Sequence, residues 1–218
     1  MKAAPSGIKI TALSSTLALG GSTTFLLNFL RAVHDGPHRL SVVGFAGATE
    51  LAADFAALNT ELRATESDRL IYEDRLAWAY GQLVDLKPQA VLASLGPESF
   101  EILRLVPPGV VRIGIIQADE PSPFATARRY APWLDAMVGV SEGIAHKLKA
   151  MPEFRTTKVE AIPYGIAFRP ATARPPSSGP LRVIYLGRII EEQKRVTRLA
   201  ALIKNLPSHD FQFTIVGA

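Results

Sequence analysis

The feature that most constrains the fold is an alternation along the chain between short apolar runs and longer amphipathic runs. Short apolar runs flanked by turn residues predict buried strands, and amphipathic runs between them predict helices that cover a sheet. The pattern therefore predicts an α/β fold with a doubly wound, Rossmann-like parallel sheet. The predicted strands are Ile8–Leu13, Leu40–Phe45, Ala90–Ser94, Val110–Ile116, Ala136–Val140 and Val159–Ile162.

Helices are predicted between these strands from apolar residues spaced three and four apart. Shorter helices are predicted after Gly96-Pro97 and after Ser141, which is a favourable N-cap residue. The first long helix follows Gly20-Gly21-Ser22-Thr23 and turns Phe25, Leu26, Phe29, Leu30 and Val33 to one side. The second runs near Asp68–Leu86, with Leu76, Tyr80, Leu83 and Val84 facing inward.

The composition changes sharply near the end of the chain, where Pro, Ser, Ala and Gly replace large apolar residues. We interpret residues 166–180 as a linker between a domain at 1–165 and a second unit at 181–218. The second unit reads LRVIYLG, a basic helical run over Glu192–Leu206, and FQFTIVG, which predicts one βαβ unit. One such unit cannot cover both faces of its sheet. We therefore expect the opening of a larger, truncated domain, whose apolar edge at 211–216 invites pairing with another copy.

Composition excludes several classes of protein. The 218 residues include no cysteine, which rules out disulfide scaffolds, thiolate metal sites and cysteine nucleophiles. No run approaches the roughly 20 apolar residues that a membrane span needs. Lys2 and Lys9 before an apolar run allow a signal peptide, but Pro5 and Gly7 oppose it, and a buried strand fits equally well. We expect a cytoplasmic protein, with peripheral membrane contact allowed.

Positive charge is concentrated at the end of the chain. Residues 151–218 carry 10 basic and 5 acidic side chains, against 14 and 15 in residues 1–150. This imbalance suggests an anionic ligand there rather than a nucleic acid over the whole surface. Arg188 and Lys194 follow the first strand of this region, and together they suit a diphosphate that gains charge as it leaves. The alternative is a basic helix that faces solvent.

Gly20 and Gly21 lie between the first strand and the first helix, where small residues let a ligand approach backbone amides. The pair matches neither a dinucleotide fingerprint nor a P-loop. The alternative is a turn in which Ser22 or Thr23 caps the helix.

Asp119 follows an apolar strand and is a candidate catalytic carboxylate or sugar contact. Its neighbour Glu120 points to the other side of an extended backbone, so the two do not form an acid/base pair. Asp119 before Pro121 also fits an ordinary turn. The four histidines show no metal-binding spacing, and we expect no metal site.

Several fragments in order resemble the retaining glycosyltransferases of group 1, family 4. They are ALGGSTTFLLNFLRAV, MVGVSEGIAHKL, KVEAIPYGIAF, the proline-rich linker, VIYLGRIIEEQKRVTRLAALI and FTIVGA. The resemblance implies a GT-B fold, in which a first domain serves mainly the acceptor and a second mainly a nucleotide-sugar donor. It also implies that Arg188 and Lys194 hold the donor diphosphate, and that Gly20 and Gly21 close over the phosphate and sugar.

The sequence departs from the family pattern in three places. The spacing from Arg188 to Lys194 is one residue longer than is common, which brings Arg195 into consideration. Gln117 stands where many members have a His that contacts the transferred sugar, so it becomes a candidate acceptor or sugar contact. The acidic motif that binds the donor's ribose and sugar would lie beyond Ala218.

The resemblance implies transfer of a sugar from a nucleoside-diphosphate sugar to an acceptor hydroxyl with retention, and no cofactor or metal is expected. Two alternatives stay open. One is a non-catalytic module of the same fold that serves as a partner or sensor. The other is a sugar-nucleotide epimerase or phosphorylase. We expect the 218-residue chain itself to be inactive and to bind nucleoside diphosphates weakly.

Overall fold

The computed structural model describes residues 7–45, 50–58, 60–65, 71–94, 96–165 and 179–217. The chain divides into two compact units, Met1–Ala167 and Phe168–Ala218, and each has its own parallel sheet. The predicted linker at 166–180 falls almost entirely outside the described residues.

The first unit is built on a seven-stranded sheet in the order β3-β2-β1-β4-β5-β6-β7, and every neighbouring pair is parallel. The order reverses between β1 and β4, so right-handed crossovers place helices on both faces. The strands are β1 Lys9–Ser14, β2 Arg39–Gly44, β3 Glu61–Ala64, β4 Ala90–Ser94, β5 Val111–Ile116, β6 Ala136–Gly139 and β7 Lys158–Ala161.

Helices connect these strands and pack on the sheet. Ser141 caps the last of them as predicted, because its Oγ accepts a hydrogen bond from the Ile144 amide over 3.3 Å. The helices are α1 Gly21–Val33, α2 Ala52–Ala56, α3 Tyr72–Leu86, α4 Gly96–Leu103, α5 Pro121–Tyr130 and α6 Glu142–Ala150.

The predicted α/β, Rossmann-like parallel sheet is confirmed, and the six predicted strands are present with boundary shifts of at most one residue. The elements β3, α2 and α5 were not predicted. The four residues of β3, ELRA, are half-exposed and contain no apolar run. The Pro-Ser-Pro start of α5 looks like a turn, although proline is well placed in the first turn of a helix.

The core lies between the sheet and its helices. All five residues of β4 are buried, as expected for a central parallel strand. The prediction of inward-facing residues in α3 was wrong for Val84, which is 49% exposed. Leu83 is buried, and Leu76 and Tyr80 are half-buried against the core. In α1 the buried apolar side chains are Leu26, Leu27 and Leu30, while Phe25 and Phe29 are half-buried. The predicted start of α3 at Asp68 lies outside the described residues.

The second unit consists of β8 Leu181–Leu186, α7 Glu191–Lys194, α8 Val196–Lys204 and β9 Phe211–Val216. The two strands pair in parallel from Leu181 opposite Phe211 to Leu186 opposite Val216. The single helix predicted over Glu192–Leu206 was wrong, because Arg195 has a φ of 49° and separates α7 from α8. This left-handed conformation cannot continue an α-helix. Pairing of 211–216 with another copy stays a prediction.

Candidate functional site

The candidate site lies at the carboxyl edge of the seven-stranded sheet, beside the point where the strand order reverses. After β1 the chain turns toward β2, whereas after β4 it turns toward β5, which leaves a crevice between the two connections. Ligands of open parallel sheets bind in this kind of crevice. Gly20 and Gln117 lie in the connections that follow β1 and β5, and Gly96 begins α4 after β4.

The Gly-Gly pair opens α1 as predicted. Gly20 is the N-cap residue with an extended backbone, and α1 begins at Gly21. The alternative in which Ser22 or Thr23 caps the helix is wrong, because no side chain of the described residues accepts a cap hydrogen bond there. A Cβ on Gly21 would meet no atom within 4 Å. The start of α1 therefore leaves space for a ligand beside Gly21.

The loop that leads to α1 is held by its own hydroxyl groups. Ser14 Oγ donates to the Thr16 carbonyl over 2.6 Å, and Thr16 Oγ1 accepts from the Ala18 amide over 3.0 Å. Local bonds of this kind fix a loop without a long side-chain network. They position the start of α1 relative to the end of β1.

A cleft of about 150 Å³ lies between the starts of α1, α4 and α5. Gln117, just after β5, lines it, and its Nε2 donates to Ser94 Oγ at the end of β4 over 2.9 Å. Gln117 Oε1 is buried and has no hydrogen-bond partner among the described residues. The structure thus places Gln117, predicted from the sequence, at a cleft wall with one acceptor atom unused.

Asp119 lies two residues beyond Gln117 but is engaged in an ion pair. Lys147 Nζ, on α6, contacts both carboxylate oxygens of Asp119 at 2.6 and 2.8 Å. Lys147 also lies over the Phe124 ring, 6.0 Å from its centroid. Both partners are about half exposed, at 57% for Lys147 and 51% for Asp119, so the pair is a weak surface bridge that a ligand can open. Glu120 is the N-cap residue of α5.

The IPYG segment at residues 162–165 is one of the fragments that resemble the glycosyltransferase family, and it lies against α1. The rings of Tyr164 and Phe25, on α1, are 4.9 Å apart between centroids and tilted by 55°. Burial raises the pKa of Tyr164 above its ordinary value. Two fragments far apart in sequence are therefore neighbours in the first unit.

In the second unit, Arg188 follows β8 and Lys194 ends α7. Tyr185 Oη donates to the Arg188 carbonyl over 2.8 Å, which holds the Gly187-Arg188 turn. Gly217 is required next to it, because a Cβ there would lie 1.9 Å from the Gly187 carbonyl oxygen. Glu191 accepts hydrogen bonds from the Thr197 amide and hydroxyl, at 3.0 and 2.6 Å, and these bonds lower its pKa. Glu191 thus caps α8.

The sequence did not single out Ser94 or Lys147. Ser94 had a usable signal, since it is the polar last residue of a buried strand. Lys147 had none, because its partner is 28 residues away in the chain.

Within the described ranges no cluster of three or more His, Cys, Asp or Glu is placed to hold a metal ion. No helix in the described part of the chain has the length and apolar character to cross a membrane.

No protein-family model matches the chain. No curated protein matches it either. Solved structures do match. The apo form of the lipopolysaccharide outer core galactosyltransferase WaaB is 15% identical, with a TM-score of 0.67 over 95% of this chain and 60% of its own. A glycosyltransferase from Rickettsia africae ESF-5 is 16% identical, with a TM-score of 0.66 over 97% of this chain and 60% of its own.

A third match is a putative UDP-N-acetylglucosamine 2-epimerase from Listeria monocytogenes. It is 11% identical, with a TM-score of 0.58 over 96% of this chain and 62% of its own. The chain thus spans about three fifths of the length of these three structures. At such identities the likeness concerns the fold, and the chain has the GT-B type of fold found in glycosyltransferases.

Proposed function

We propose that this chain is part of a glycosyltransferase that moves a sugar from a nucleoside-diphosphate sugar to an acceptor hydroxyl with retention of configuration. The observation that carries the proposal is the cleft at the carboxyl edge, bordered by the uncapped start of α1. An uncapped N-terminus with no acid in its first turn suits a phosphate. The fold likeness to glycosyltransferases supports the same reaction class.

The donor phosphates are assigned to four residues. Gly20 and Gly21 let a phosphate oxygen reach the open N–H groups of α1, because neither carries a side chain. Arg188 and Lys194 supply the positive charge, the first as a planar fork and the second as a compact ammonium. Their joint role is to stabilise the diphosphate as it leaves.

In the proposed reaction the bond between the sugar C1 and the donor phosphate oxygen breaks, and a bond from C1 to the acceptor oxygen forms on the same face. The acceptor proton passes to the leaving phosphate oxygen, so no protein nucleophile and no metal or other cofactor is required. Asp119 is assigned a contact with sugar hydroxyls rather than the nucleophile role, because Lys147 already engages both of its oxygens. Gln117 is assigned the acceptor or sugar contact.

Two other functions, one catalytic and one not, are compatible with the fold. The likeness to a putative UDP-N-acetylglucosamine 2-epimerase favours an epimerase as the second candidate. Gln117, in place of the family's His, favours a non-catalytic binding module. Product analysis separates these functions. An isomerised donor would indicate an epimerase, and released sugar phosphate would indicate a phosphorylase; either would replace the transferase proposal. No product at all would favour the binding module.

The test uses a full-length parent protein and a panel of nucleoside-diphosphate sugars. Replacing Arg188 and Lys194 together by Ala is expected to lower kcat/KM by about 100-fold or more, because contacts to charged groups are each worth about 1.5–3 kcal/mol. The matched control replaces Arg182 and Lys204, exposed basic residues of the second unit outside the proposed site. Equal turnover of the two double variants would remove Arg188 and Lys194 from the mechanism.

The 218-residue chain is expected to show no transfer and only weak binding of nucleoside diphosphates. Calorimetric titration checks this, and micromolar affinity would contradict it. We further propose a cytoplasmic location, in which peripheral membrane contact is allowed. Fractionation of cells that produce the parent protein tests the location.

A further inference from the structure

The three helices that begin around the cleft offer very different first turns. α1 starts Gly21-Ser22-Thr23, with an N–H on every residue and no acidic side chain. α5 starts at Pro121 and has a second proline at Pro123, and neither has an N–H to donate.

The start of α4 resembles that of α5 rather than that of α1. Its second residue is Pro97, and Glu98 lies in its first turn. The N-cap residue of α5 is also acidic, Glu120. Prolines remove the donors that would hold an anion. Glu98 is already paired with Arg75 Nη2 over 3.0 Å, whereas Glu120 opposes an anion by its charge. The α4 and α5 side of the cleft therefore offers an anion fewer N–H donors than the α1 side does.

The side chains that line the cleft agree with this division. Among the described lining residues none is charged. The polar groups are the hydroxyls of Ser22, Ser122 and Thr126 and the amide of Gln117, and the apolar wall includes the ring of Phe100. Hydroxyls and an amide beside an aromatic ring suit a sugar-like ring, which carries hydroxyl groups and apolar C–H faces.

The amide of Gln117 is already fixed in the cleft wall. Its Nε2 donates to Ser94 Oγ over 2.9 Å, and its Oε1 is buried. The polar contacts to a ligand are therefore assigned to the hydroxyls of Ser22, Ser122 and Thr126. The cleft volume of about 150 Å³ is below the roughly 300 Å³ of ordinary ligand pockets, which limits the occupant to one ring.

We propose that the α4/α5 side of this cleft binds one uncharged, hydroxyl-bearing ring and discriminates against its carboxylate-bearing counterpart. The inference rests on the proposed function only in naming that ring as the acceptor. As such it assigns the acceptor class: a neutral glycoside, not a uronic acid.

The test measures binding to the complete 218-residue chain by saturation-transfer NMR and chemical-shift titration. The probes are methyl α-glucoside, methyl α-galactoside and methyl α-mannoside, each paired with its uronic acid. At least one neutral glycoside is expected to bind in the millimolar range, and its uronic acid about 10-fold more weakly or not at all. Equal or tighter binding of the uronic acid, or no binding of any neutral glycoside at 50 mM, overturns the proposal.

Two variants locate the binding. Thr126→Val keeps the side-chain shape and removes one cleft hydroxyl. It is expected to weaken the binding of the neutral glycoside by about 3- to 10-fold. Thr157→Val, outside the cleft, is the matched control, and thermal melts check that both variants fold. Equal effects of the two variants would place binding elsewhere and overturn the assignment.

A third variant tests the charge argument by itself. Glu120→Gln removes the acid at the start of α5, and it is expected to narrow the preference for the neutral ring by about 2- to 5-fold. An unchanged preference would overturn the assignment of the discrimination to the start of α5. These binding results are independent of transfer: a parent protein that proves to be an epimerase disproves the proposed function and leaves the cleft's selectivity standing. A parent protein that glycosylates a uronic acid better than its neutral counterpart disproves the selectivity of the cleft and leaves the proposed function standing.

Discussion

Two segments of the chain have similar local architecture and very different surroundings. In each, two parallel six-residue strands pair along their whole length. They are joined by α1 in β1–α1–β2, and by the short α7 followed by α8 between β8 and β9. In the first segment Leu30 of α1 is 2% exposed, whereas in the second Leu202 of α8 is 57% exposed. No residue of α8 is buried in the described structure.

The difference shows that the pattern of a βαβ segment specifies its local structure but not its stability. β1 is paired on both sides, by β2 and β4, and so contributes to a continuous core. β8 is paired only with β9 in the described residues. Hydrophobic stabilisation scales with the apolar area removed from water. The first segment is therefore stabilised by neighbours that the second does not have among the described residues.

The largest expected effect of this difference is on unfolding. Leu30→Ala is expected to lower the unfolding free energy by about 3 kcal/mol, because it leaves a cavity in a packed core. Leu202→Ala, the matched change in α8, is expected to stay within about 0.5 kcal/mol. Urea unfolding followed by circular dichroism measures both. A similar loss in the two variants would mean that α8 is packed as well as α1.

Glycine positions sharpen the comparison inside the first unit. A Cβ on Gly139 would lie 2.6 Å from the Ala145 backbone nitrogen, so Gly139→Ala must shift α6 and is expected to cost about 1–3 kcal/mol. Gly81, inside α3, has no atom within 4 Å of the same position. Gly81→Ala is expected to stabilise by up to about 1 kcal/mol through helix propensity. Thermal melts should shift in opposite directions, and a shift of the same sign would contradict the argument.

The first unit also contains a buried hydroxyl that makes its stability sensitive to alkali. Tyr130 is fully buried and its Oη donates to a Glu101 oxygen. Burial, with that hydrogen bond, raises its pKa to about 12 from an ordinary 10.0. The folded state therefore keeps the proton longer than the unfolded state, so its stabilising effect is complete below pH 10 and is lost as pH rises toward 12.

Tyr130→Phe provides the control for this titration. Tyr72 and Tyr164, whose pKa values are also raised, remain in the variant, so the difference between the two proteins isolates Tyr130. The wild type is expected to lose on the order of 1 kcal/mol more than Tyr130→Phe between pH 9.5 and 11.5. Urea unfolding at several pH values measures it. Parallel curves for the two proteins would show that Tyr130 does not titrate differently on folding.

The same contrast explains which features could be predicted from the sequence. Six strands of the first unit were predictable because a buried parallel strand is a continuous apolar run. β3 was not, since its pairing with β2 at the sheet edge needs no apolar run. The break at Arg195 was invisible because a basic residue carries no turn signal, and only its φ of 49° reveals it.

The residues of the candidate site also differ in how far they could be predicted from the sequence. Gln117 directly follows β5 and lines the cleft, and Gly20 and Gly21 open α1 in the connection after β1. The rule that ligands bind at the carboxyl edge of a parallel sheet was enough to single out these connections. The contact between Asp119 and Lys147 required the packing of α6, which no local pattern encodes. The orphaned oxygen of Gln117 likewise depends on the orientation of its side chain toward Ser94.

The smallest expected effect lies in the second unit. No described residue of α8 is buried, so local hydrogen bonds rather than a core hold the start of this helix. Glu191 caps α8 by accepting from the Thr197 amide and hydroxyl, which lowers its pKa. A lowered pKa in the folded state means that the cap stabilises α8 above the unfolded pKa and is lost as pH falls. Glu191→Gln is expected to speed hydrogen exchange of the Thr197 amide at pH 7, whereas Glu192→Gln, with the same loss of charge, leaves it unchanged. NMR exchange at pH 7 and pH 3 measures both. The difference between wild type and Glu191→Gln should vanish at the acidic pH, and a difference that persists there would mean that the carboxylate charge is not what holds the start of α8.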